Sequence, residues 1–177
     1  MSVHSITPVD LRSYIRDLPD YPSPGIVFRD ITPLLAEPAA FTTAVHALAE
    51  LVPSNTDLIA GMEARGFIFG AALAHHMGIG FVPVRKAGKL PPPVRSYTYD
   101  LEYGQATIEL RDETLPDGAQ VVLLDDVLAT GGTAAAGVAL IEQCGAHVIQ
   151  ALFLMELSGL GGRDLLGSKP VAALFDL

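Results

Sequence analysis

The sequence predicts an α/β protein, a mostly parallel central sheet with helices on both faces, formed as one domain over residues 1–177. Three observations carry this. Continuous apolar runs at 58–62, 80–84, 121–124 and 147–155 have the length and branching of strands buried on both faces. The runs at 58–62 and 121–124 each lead through a carboxylate and a glycine-bearing turn into a proline-free apolar stretch of helical length, a strand–turn–helix unit. The rhythm breaks once, between 87 and 110, where apolar and polar residues alternate as in a half-exposed antiparallel pair.

Taken in order, Thr7, Pro8 and Asp10 form a helix start, with an N-cap hydroxyl, proline at the first position and an early acid. Leu11, Tyr14, Ile15 and Leu18 then share one helical face, and the helix is expected to stop before Pro19. Residues 21–33 carry prolines and a glycine at both ends, which predicts an irregular segment; Ile26, Val27, Phe28 and Ile31 make it too apolar for a free loop. Pro38 opens a second helix, with Phe41, Val45 and Leu48 at helical spacing. The third helix runs from about Arg65 to Met77, and its closing pair, His75 and His76, suits a helix C-terminus better than a metal. Residues 97–103 and 106–110 are the alternating pair, expected to project from the sheet behind the basic, proline-rich stretch 87–97. Pro116, Asp117 and Gly118 turn the chain into the strand at 121; a strand at 147–155, a short helix at 160–166 and an edge strand at 170–175 complete it.

Bulk properties exclude several functions. Half the residues are hydrophobic and 18% are charged, which rules against disorder. A net charge of −9 rules against non-specific binding to nucleic acid or anionic membrane. No apolar run reaches membrane-spanning length, and the first residues lack the basic flank and apolar core of a secretion signal, so a cytoplasmic location is expected. The single cysteine, Cys144, permits no internal disulfide and falls in an apolar helical turn as a packed thiol.

The chemistry concentrates at 121–133, VVLLDDVLATGGT. Two adjacent carboxylates, Asp125 and Asp126, end an apolar run, and Ala129, Thr130, Gly131, Gly132 and Thr133 form a turn before a helix. Unpaired N–H groups at a helix start, hydroxyl donors and glycines that permit close approach make an anion cradle. It lies at the carboxyl edge of the sheet, where open α/β sheets bind ligands. The stretch resembles the phosphoribosyl pyrophosphate-binding motif of type I phosphoribosyltransferases. Further matching pieces lie in the same order at 24–33, 63–67, 85–91 and 101–104. The blocks GIVFRD and LEYG point to the adenine-using branch.

The resemblance implies transfer of a 5-phosphoribosyl group from 5-phosphoribosyl 1-pyrophosphate to adenine, giving AMP and pyrophosphate, with Mg²⁺. It implies that residues 129–133 hold the 5-phosphate, that Asp125 and Asp126 face the ribose and the cation developing on it, and that both can contact the metal. Arg65, Lys86 and Lys89 fall on the pyrophosphate side, and Arg85 reaches the neighbouring subunit's site in a homodimer. Val27, Phe28 and Arg29 bind adenine within an N-terminal hood (1–35), Phe28 by stacking. Glu102 becomes the candidate general acid/base at purine N7, on a flexible lid arm (86–110) that Tyr103 closes. Relatives carry a cis peptide where this chain has Glu63–Ala64. Departures are Ala64 where relatives commonly have Ser, Ala87 where some carry a base, and the triple proline 91–93. Two other readings share the fold: a transferase for xanthine or hypoxanthine, and a non-catalytic regulator that binds nucleic acid, which the charge disfavours. A phosphate-binding NTPase lacks its Gly-x4-Gly-Lys-Ser/Thr signature here.

Overall fold

The structure, a computed structural model, describes residues 11–100 and 104–177. The described chain divides into two compact units, one ending at Ala47 and one beginning at Leu48.

In the first unit, the expected helix start at Thr7 and Pro8 lies outside the described residues, and the helical face does not extend to Leu18. Turns close through Tyr14 N–H to Leu11 O and Ile15 N–H to Arg12 O, and Arg16–Pro19 is a strand, β1. It pairs antiparallel with β2, Val27–Asp30, inside the segment expected to be irregular. Leu11 and Arg12 are helical, and only the spacing that carries the pattern on to Ile15 and Leu18 is coincidental. A strand beginning 11 residues after the start of β1 supplies the backbone partners, and no local pattern announces it. Asp20 takes a left-handed φ of 59° at the bend, and its carboxylate accepts the Gly25 N–H at 2.8 Å. Arg29 ion-pairs with Asp17 across the two strands. Helix α1, Thr32–Ala36, follows, then α2, Pro38–Ala49, with proline at its first position as expected. Leu11, Ile31, Leu34, Ala40 and Ala44 are fully buried.

The second unit is the sheet. Its strands are β3 (Leu58–Met62), β4 (Gly80–Lys86), β5 (Val94–Asp100), β6 (Gln105–Arg111), β7 (Gln120–Leu128), β8 (His147–Glu156) and β9 (Val171–Asp176). The spatial order is β5-β6-β4-β3-β7-β8-β9, with β4, β3, β7, β8 and β9 mutually parallel. Helices are α3 (Arg65–Met77), α4 (Gly132–Gln143) and the short α5 (Gly162–Leu166).

Strand alternation shows both faces covered, as the sequence predicts. Gly61 lies against Phe81 and Gly66 of α3, whereas its neighbour Met62 and Leu123 lie against Gly137 of α4. Val121, Val122, Leu123 and Leu124 all have no exposed surface, the mark of a strand buried on both faces. Removing such side chains from water stabilises the fold by about 2 kcal/mol each, which is why these runs set the layers.

An antiparallel pair is present as expected, but its first strand begins at Val94, three residues before the expected 97, and β5 matches β6 over seven positions from Val94↔Arg111 to Asp100↔Gln105. Among the described residues it meets β4 at Arg85↔Glu109 and Lys86↔Ile108, and the Ala87 N–H donates to Thr107 O at 3.0 Å. It is not a free excursion, because Tyr97 and Tyr99 pack on the core of this unit. Among the described residues, no helix is long and apolar enough to cross a membrane.

Candidate active site

Strand β7 runs on to Leu128, so the two carboxylates stand within the strand and not beyond its end. Asp126 turns toward α3, where Arg65, the first residue of that helix, places Nε 2.7 Å from its Oδ2. Asp125 borders Gly66 of the same helix with its Oδ1 and also lines a cavity of about 110 Å³ together with Ala129, Thr130, Gly131, Gly132 and Thr133. Its Oδ1 accepts the Asp126 N–H at 2.9 Å. The two carboxylates lie close enough to shift each other's titration.

Burial pushes the Asp125 carboxyl well above its ordinary range, and the charge of Asp126 adds to the effect. Burial raises Asp126 as well, while Arg65 pulls it back toward ionisation. The strand therefore holds a compensated carboxylate beside one that gains from positive charge nearby.

The turn is built for an anion. Gly131 precedes α4 with φ 85°, and no side chain caps the helix start. The first N–H groups of α4 thus face the cavity without a capping side chain, and anions bind there by hydrogen bonding and the helix dipole. A Cβ at Gly131 would collide with the backbone carbonyl of Gly162, and one at Gly162 with that of Ala129, whereas Gly132 borders open space. The turn is therefore moulded against the start of α5, a contact between segments thirty residues apart that no motif announces. Behind it, Arg163 of α5 grips the buried Glu156 at the end of β8 with Nε at 2.8 and 2.9 Å and Nη2 at 2.6 Å. The Arg163 Nη1 also donates to Val171 O at 3.0 Å, tying α5 to β9.

The basic residues converge on a carboxylate that the sequence reading treated only as the end of a strand. Glu63 accepts Lys89 Nζ at 2.8 Å, the Lys86 N–H at 2.8 Å and Arg85 Nε at 3.4 Å. Burial alone would push its carboxyl up, but the Lys89, Lys86 and Arg85 donors together outweigh that and hold it down at about 2. Arg85 also lies over the Phe67 ring, 5.9 Å from its centroid. The Glu63–Ala64 peptide is cis, as the resemblance implies. A second cavity, about 300 Å³, is lined by Glu63, Lys86, Tyr99 and Thr133 among others, so Thr133 borders both cavities. Tyr99 Oη lies 3.2 Å from Thr133 Oγ1, which links the antiparallel pair to the anion turn.

In the first unit, Val27, Phe28 and Arg29 form β2. Val27 is exposed, and the Phe28 ring meets Tyr21 edge-on at 5.3 Å. The Arg29 side chain is committed to Asp17, its register partner on β1. Glu102 and Tyr103 lie outside the described residues.

A family model for the phosphoribosyl transferase domain matches residues 30–163. The chain belongs to that family. It is 54% identical to the adenine phosphoribosyltransferase of Thermobifida fusca, over 91% of this chain and 92% of that protein. Among solved structures of phosphoribosyltransferases, the adenine phosphoribosyltransferase of Thermoanaerobacter pseudethanolicus is similar with a TM-score of 0.94 and 45% identity, covering 97% of this chain and all of that one. The Saccharomyces cerevisiae adenine phosphoribosyltransferase, complexed with an imino-altritol bisphosphate and adenine, is similar at TM-score 0.90 and 42% identity, covering 94% and 98% of the two chains. The family's sheet, with its anion turn after β7, is thus the sheet found here.

Two outcomes follow from this geometry. Gly131→Ala should cost about 2 kcal/mol of stability from the left-handed φ alone, and also weaken phosphate binding, whereas Gly132→Ala should leave thermal stability nearly unchanged. Asp125→Asn should raise the melting temperature of the ligand-free protein at pH 7. The folded carboxyl titrates above its unfolded value, so its ionisation opposes folding at neutral pH. That penalty fades as pH falls from the raised value toward about 4, and melts recorded across that range should show the two proteins converging.

Proposed function

We propose that the chain transfers the 5-phosphoribosyl group from 5-phosphoribosyl 1-pyrophosphate to adenine, releasing AMP and pyrophosphate. The observation that carries this is near-full-length similarity to adenine phosphoribosyltransferases, 54% identity in one case, joined to an uncapped helix start beside a pair of strand carboxylates.

In this reading the turn residues 129–133 take the 5-phosphate through the first amides of α4 and the hydroxyls of Thr130 and Thr133. The C1–O bond to pyrophosphate breaks as the C1–N9 bond to adenine forms, and positive charge develops on the ribose ring between these events. Asp125 and Asp126 stabilise that charge more in the transition state than in the ground state. The raised Asp125 carboxyl suits the task, because a cation beside it offsets a cost the ligand-free fold carries. Arg65, Lys86 and Lys89 take the pyrophosphate side. Val27 and Arg29 read the purine edge through their backbone, Phe28 stacks on the ring, and Glu102 exchanges a proton at N7 beneath a lid closed by Tyr103.

Asp125 and Asp126 fit Mg²⁺ as hard oxygen donors. Among the described residues, no three His, Cys, Asp or Glu side chains converge on a metal site, so substrate oxygens and water complete such a shell. When bound, the ion neutralises charge on the leaving pyrophosphate. The reading also places the chain in the cytoplasm as a homodimer, with Arg85 serving the neighbouring subunit.

A base panel with 5-phosphoribosyl 1-pyrophosphate and Mg²⁺ tests the assignment. AMP formation from adenine should dominate; turnover of xanthine or hypoxanthine with none of adenine would overturn it. Glu102→Leu should lower kcat by on the order of 10²-fold while leaving 5-phosphoribosyl 1-pyrophosphate binding within about twofold, measured by calorimetry. Unchanged turnover would remove Glu102 from the chemistry.

A further inference from the structure

Glu63 stands apart from the groups to which the reaction gives a role. Its side chain is 9% exposed, yet it sits at the ligand edge of the sheet, one residue past the end of β3. Both of its oxygens are engaged. Oε1 takes the Lys89 ammonium at 2.8 Å, and Oε2 takes the Lys86 amide at 2.8 Å and Arg85 Nε at 3.4 Å. Arg85 Nη1 then donates to the Lys89 carbonyl at 3.3 Å, closing the basic segment on itself. A carboxylate that gathers two cationic side chains and an amide from one segment occupies the donor set that a pair of phosphate oxygens would use.

We propose that Glu63 is a resident counter-anion, which holds Lys89 and Arg85 in place in the ligand-free protein and yields Lys89 to the diphosphate of the substrate. The inference rests on the phosphoribosyl-transfer reading and deepens it by assigning a positioning residue to the leaving-group side.

Two consequences follow from elementary electrostatics. The basic segment is ordered before the ligand arrives, which reduces the entropy lost on binding. Against this, the diphosphate must displace one anion and then sit beside it, so its affinity is lower than the cations alone would provide. Lys89 is half exposed, which keeps the exchange within the range of a screened ion pair and lets it proceed readily. The net effect is weaker retention of product pyrophosphate. A Glu63 that only braces the fold has the opposite signature, since its removal would loosen the cations and weaken diphosphate binding.

The sign of the change is therefore the test. Titration calorimetry of the full chain with inorganic pyrophosphate and Mg²⁺ compares wild type with Glu63→Gln, which keeps the hydrogen-bonding oxygen and removes the charge. Pyrophosphate should bind roughly two- to fivefold tighter to the variant, the range expected for one screened ion pair. Lys89→Met should then cost more affinity in the Glu63→Gln background than in wild type, because Lys89 no longer exchanges one anion for another. Equal or weaker pyrophosphate binding by Glu63→Gln, in a chain whose wild type makes AMP from adenine, would overturn this inference and leave the reaction standing. A wild type that neither binds pyrophosphate nor makes AMP would overturn both. If circular dichroism shows Glu63→Gln unfolded, Glu63→Ser makes the same comparison.

Discussion

Two carboxylates set side by side on one strand repel each other, and the carboxyl edge of this sheet depends on how that repulsion is met. Asp125 and Asp126 of β7 each shift the other's titration. Asp126 meets the guanidinium that begins α3 and is compensated. Asp125 meets the cavity before α4, where burial and its neighbour make its charge costly.

That edge is held in register by packing at a distance. The anion turn has no side-chain cap, so its shape rests on the backbone of Gly162 lying against 129–131. Gly131 and Gly162 are needed because a β-carbon on either side of the contact would strike a carbonyl. The half-exposed Arg163, bidentate on the buried Glu156, keeps α5 at that distance. Removing the guanidinium would leave the buried Glu156 charge uncompensated, so the pair fixes geometry more than it strengthens the fold.

Legibility followed the range of the forces involved. The central strands and long helices are readable because apolar period and turn residues are local properties, and the observed bounds of β3, α3, β8 and β9 fall within a residue or two of expectation. The strand at Arg16–Pro19 was misread as helix because its partner lies across a bend, and four residues of apolar spacing cannot separate period 3.6 from a short hairpin. Glu63 was visible as a strand-end carboxylate. Its engagement by donors 23 to 26 residues away was not, since nothing in a linear pattern reports which cations fold back on it. The anion turn was recognised as a turn, while its moulding against Gly162 was hidden for the same reason.

The sequence by itself determined the layer order, the parallel core and the presence of a glycine turn before a helix beside two acids, because burial periodicity and glycine placement act within a few residues. The tertiary structure alone decided which acid is compensated by Arg65, which backbone shapes the turn and which carboxylate collects the basic segment. Those outcomes depend on contacts between distant segments, whose geometry exists only once the sheet has brought its carboxyl edge together.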